Sequence, residues 1–137
     1  MKNILLWAAM AVIFSSFECM ERCNESEPPP FIECLFIFED ADNINLLTSN
    51  QLSLASIEMR SVESGELLTF TEYNGGILVN FSEGEENFTL TTLLKDFEFA
   101  VEVDSFEGEC NRVYELSAFS IDGRSITFTQ PVFTFRF

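Results

Sequence analysis

Between Asp96 and Asp104 the chain alternates without a break: Phe97, Phe99, Val101 and Val103 interleave with Glu98, Ala100 and Glu102. Only an extended strand sends successive side chains to opposite faces, so this period of two predicts a half-buried strand. The same alternation returns at Ile77, Val79 and Phe81, and again at Phe88, Leu90, Thr92 and Leu94. Tyr114, Leu116 and Ala118 repeat it. In the run Phe31 to Glu39, Cys34, Phe36 and Phe38 share one face while Leu35 and Ile37 make the other apolar too, which predicts a strand covered on both sides.

Turn chemistry separates these runs. Asn74-Gly75-Gly76 and Asp122-Gly123 carry the residues that tolerate positive φ in tight hairpins, and Glu63-Ser64-Gly65 and Glu83-Gly84-Glu85 are looser versions. Across Pro131 the apolar phase changes from Ile126 and Phe128 to Phe133, Phe135 and Phe137, which predicts a strand break there. Ile44 to Ala55 fits no strand and reads as a short helical turn or loop. The expected fold is all-β: an antiparallel β-sandwich of about eight strands, immunoglobulin-like or transthyretin-like, over residues 31–137.

Upstream, Lys2 precedes the apolar run Ile4 to Phe14 and the small residues Ser15 and Ser16. This is the layout of a secretory signal over residues 1–18, too short for an ordinary membrane-spanning helix. Residues 19–30, CMERCNESEPPP, read as a polar, stiff tether. The expectation is an exported chain, outer-membrane-anchored, periplasmic or extracellular.

The net charge of −16 makes nucleic acid and anionic lipid unfavourable partners. Loss of Lys2 would leave six basic against 23 acidic residues, or −17. With no histidine, the Ser-His-Asp and Cys-His arrangements and imidazole zinc sites are excluded. Paired carboxylates could run glycoside hydrolysis without histidine, but no acid is singled out by an apolar surrounding. The chain is expected to be no enzyme and to need no cofactor or metal.

Four cysteines remain to be placed. Cys19 is a candidate for lipidation, the one route by which this chain would hold a membrane, although Glu18 before it departs from the small residue such a site prefers. Cys23, Cys34 and Cys110 are disulfide candidates, with Cys110 able to pin the first strand or the tether. The spacings contain no paired CxxC for a metal. Asp40-Ala41-Asp42-Asn43-Ile44-Asn45 has alternating oxygens like a calcium loop, but Ile44 stands at a ligand position and no glycine follows, so it reads as an acidic turn. Asn24, Asn80 and Asn87 fit the N-glycosylation pattern, which matters only in a eukaryotic secretory route.

Phe133-Thr134-Phe135-Arg136-Phe137 allows two readings. It is an exposed final strand offering aromatic side chains to a partner, or the last strand of a small outer-membrane β-barrel. The barrel needs about nine to eleven residues in each strand and aromatic girdles, which a chain with two Tyr and one Trp does not supply.

Several pieces resemble small exported proteins and lipoproteins of Bacteroidetes-type bacteria. They are Phe36-Ile37-Phe38-Glu39-Asp40 with Asn45-Leu46-Leu47, Ile57-Glu58-Met59, the Gly65-Glu66-Leu67 turn, and Cys110-x-x-x-Tyr114-x-Leu116-x-x-Phe119-x-Ile121-x-Gly123. The resemblance implies an envelope location and a β-sandwich, and brings no activity with it. The expected role is a non-enzymatic binding or structural module with an envelope protein or glycan as partner.

Overall fold

A computed structural model describes residues 28–137. They fall in two compact units: Pro30–Ser105 with Tyr114–Phe137 form the sandwich, and Phe106–Val113 belong to the other. The strands are β1 (Phe31–Glu39), β2 (Glu58–Ser61), β3 (Phe70–Tyr73), β4 (Gly76–Ser82), β5 (Gly84–Thr91), β6 (Phe97–Glu107), β7 (Arg112–Ile121), β8 (Arg124–Ser125) and β9 (Val132–Arg136). A four-stranded sheet has the order β3-β4-β1-β9 and a five-stranded sheet the order β2-β5-β6-β7-β8. The chain is therefore a β-sandwich, as its alternation requires.

The hairpins form where the turn residues allow. Asn74 and Gly75 between β3 and β4 have φ of 46° and 75°, and Asp122 and Gly123 between β7 and β8 have 49° and 76°. Two successive positive φ values give the tight turn whose twist matches that of the strands. Between β1 and β2, Leu46 and Leu52 are buried and a single 3-10 turn spans Leu54–Ser56, so this stretch is the loop expected.

Phenylalanine fills the space between the sheets. Phe36 on β1 is fully buried, with ring centroids 5.0 Å from Phe135, 5.4 Å from Phe99 and 5.7 Å from Phe119. The Phe99 and Phe119 contacts are edge-to-face, setting positive ring edges against negative faces. Phe97, Phe99, Val101 and Val103 of β6 are all buried, as their period demands.

Five features depart from the sequence reading. First, β1 pairs antiparallel with β4 but parallel with β9, Leu35 opposite Val132 and Phe38 opposite Phe135. Second, Phe133 and Phe135 are 1 % and 0 % exposed, so the last strand's aromatics are core and offer nothing to a partner. Third, Leu94 is exposed because β5 ends at Thr91. The Thr92 hydroxyl donates to Lys95 O at 2.8 Å and accepts from the N–H groups of Leu94 and Lys95, which builds the turn there. Fourth, Ser117 and Ala118 are both exposed and Phe119 is buried, so the β7 phase slips by one, as at a bulge. The slip lets Phe119 stack on Phe133 at 3.7 Å. Fifth, Leu35 and Ile37 are half-buried, and the outer face they share carries no further layer of described residues.

Gly76 shows how tightly β1 and β4 approach. A Cβ there would lie 2.3 Å from Phe36 O, a backbone atom that cannot swing away. Gly76→Ala is expected to lower stability by about 1–3 kcal/mol through overpacking. A urea midpoint unchanged from the parent chain would contradict it.

Candidate interaction surfaces

The cysteines separate clearly. Cys34 faces the core from β1, is 0 % exposed and carries a free thiol, which corrects its place among the disulfide candidates. Burial, with a smaller push from the Glu33 carboxylate, raises its pKa from 9.0 to about 12. Folding thus favours the protonated thiol. The contribution is whole below pH 9 and is lost as pH rises towards 12, so stability is expected to fall across that window. A Cys34→Ala chain with the same alkaline profile as the parent would exclude the thiol as the cause. The folded protein is also expected to alkylate at Cys34 only after denaturation, which mass spectrometry of iodoacetamide-treated samples reads directly.

Cys110 is exposed in the Phe106–Val113 segment. Cys19 and Cys23 lie outside the described residues, as do the signal segment, most of the tether and Asn24.

The acidic turn after β1 uses its oxygens on its own backbone. Asp40 Oδ1 accepts from the N–H groups of Asp42 at 2.9 Å and Ile44 at 3.0 Å, and Asn45 Oδ1 accepts from Leu47 and Thr48. These bonds make Asx-type turns, aided by Asn43 at φ 60°. Among the described residues no group of three or more Cys, Asp or Glu could hold a metal ion. Of the two other glycosylation-pattern residues, Asn80 is exposed, and Asn87 is tied by its amide to Glu63 Oε1 at 2.9 Å. That bond, with the Asn87 main-chain N–H, holds the Glu63 carboxyl below its usual pKa.

Charge divides the two outer faces. On the five-stranded sheet, register places Glu58, Arg60, Glu85, Glu98 and Glu102 outward, with Glu85 directly opposite Glu102. Like charges in that position repel, so the fold accepts a cost to keep this face acidic. A shallow trough of about 310 Å³ crosses it beside Asn87, Glu98, Ala100, Ser120 and Gly123.

The outer face of the four-stranded sheet is different. One row across its strands reads Thr71, Leu78, Leu35, Val132, and the next reads Tyr73, Gly76, Ile37, Thr134. These eight neighbouring positions carry no charge on a chain with 23 acidic residues. Tyr73 and Val132, at the two edges, are 51 % and 43 % exposed. Leu35 and Ile37 lean over Gly76, within about 3 Å of where a Cβ would stand, and level the surface. Charge returns only at the margins, with Glu33 in line with Asn80 below and Glu39 paired to Arg136 at 3.6 Å above.

Sequence reasoning missed this surface although its signal was visible. The apolar Leu35 and Ile37 pointed to a covered strand, but the uncharged block appears only once register sets four strands side by side. No protein-family profile, curated protein or solved structure matches this chain.

Proposed function

We propose that this chain is a non-enzymatic β-sandwich of the cell envelope or its surroundings, which binds another protein surface through the outer face of its four-stranded sheet. The observation that carries this reading is the uncharged block around Leu35 and Leu78 on an otherwise acidic molecule. A solvated face has no need to shed charge, whereas the centre of a protein interface is depleted of it. The two open, Phe-filled sheets and the acidic outer face of the larger one favour this reading over a lipid-embedded barrel, whose outer band is apolar.

Export rests on the layout of residues 1–18. With Cys34 free, a bridge from Cys110 would fall to Cys19 or Cys23, and the remaining thiol would be open to lipidation if it is Cys19. Intact mass of the processed chain, with and without reductant, tests processing, acylation and the bridge together.

The binding reading is tested by placing a photo-crosslinking side chain at Leu78 or at Thr91, one on each outer face, in the exporting cell. Adducts from position 78 and none from 91 are expected. No adduct from 78, or equal yields from both, would overturn it.

A further inference from the structure

The geometry points to a second copy of this chain as the occupant of the uncharged face, in a two-fold dimer that packs the four-stranded sheets face to face. This rests on the proposed reading of that face and names its partner. The strand order β3-β4-β1-β9 has its midpoint between β4 and β1. A two-fold axis along the strands at that point leaves each row at its own height and reverses it from left to right. Leu35 of one copy then lies over Leu78 of the other, and Thr71 lies over Val132. In the row below, Glu33 meets the Asn80 amide of the other copy rather than a second carboxylate.

Charge selects this face for self-association. Two copies each carry a formal −16, so most approaches bring carboxylates together. An isologous contact repeats one patch on both subunits and therefore needs a patch that does not repel itself. This block meets that need, and its level surface suits the aligned packing of sheets about 10 Å apart.

Size sets the strength. Four strands of 4, 7, 9 and 5 residues, rising about 3.3 Å per residue and lying about 4.8 Å apart, give a face on the order of 400 Å² in projection. That lies below the roughly 800 Å² per partner of a standard stable interface, so the dimer is reversible and depends on concentration. Salt strengthens it, because the screening length falls from about 8 Å at 0.15 M to about 3 Å at 1 M.

Sedimentation equilibrium of the processed, exported chain over roughly 10–500 µM tests this, at both salt concentrations. A monomer–dimer equilibrium that tightens with salt is expected. Val132→Lys and Thr71→Glu, both at exposed positions, are each expected to weaken it by at least about tenfold. The double variant is expected to recover most of that loss. The two positions lie on opposite edges of one sheet and meet only across the two-fold axis. Parental circular dichroism in each variant keeps the comparison to association.

A chain that stays monomeric throughout, single variants without effect, or a double variant as weak as the singles would each overturn the dimer. Adducts to a different protein from position 78 in a monomeric chain would leave the binding reading standing and remove only the second copy as its partner.

Discussion

Replacing Phe36 with alanine is expected to remove about 3–5 kcal/mol of stability, enough to leave a domain at the low end of the usual range of about 5–15 kcal/mol partly unfolded at room temperature. The size of the effect follows from position. Phe36 lies on one of the two inner strands of its sheet and meets the rings of Phe81, Phe99, Phe119, Phe133 and Phe135. Truncation would therefore open a cavity that no single neighbour can fill. Phe128 is a fair comparison, being only partly buried, with Phe133 as its ring neighbour. Phe128→Ala should cost clearly less. Urea midpoints of the two variants decide the matter, and equal shifts would mean that Phe36 does not organise the core.

Ending the chain after Pro131 is expected to abolish cooperative folding. The cut removes β9, and with it Phe133 and Phe135, which are buried to 1 % and 0 % exposure. It also strips one side of β1, where the parallel ladder runs from Leu35 opposite Val132 to Glu39 opposite Arg136. Phe36, Phe38, Phe97, Phe99 and Phe119 would all lose ring partners at once. Thermal unfolding followed in the near-ultraviolet should show no sharp transition. A truncated chain that still melted cooperatively would make β9 peripheral and return its aromatics to the role of a contact strand.

How much could be read from the residues alone follows from the range of each interaction. The faces of β4 and β6 were legible because strand period is local: Ile77, Val79, Phe97 and Phe99 each declare a side by their nearest neighbours. The turns at Asn74-Gly75 and Asp122-Gly123 were legible for the same reason. The parallel pairing of β1 with β9 was not, because nothing near Leu35 names Val132 as its partner. The slip at Ser117-Ala118 escaped as well, since Phe119 turns inward to meet Phe133 on the other sheet. The uncharged face needed both local period and long-range register, and only the first could be read in advance.

The parallel ladder between β1 and β9 has a further consequence, for the order of assembly. β1 receives β4 on one side from about forty residues downstream, but its other side waits for a strand about a hundred residues downstream, and pairings so distant are slow to form. Until β9 docks, β1 is an edge with Phe36 and Phe38 uncovered, the kind of surface on which chains stick to one another. A polypeptide threaded from its N-terminus through a narrow channel would have to be shielded over that interval. Its heavy acidic charge, scattered from Glu18 to Asp122, gives the unfinished chain a means of keeping other copies away before the sandwich closes.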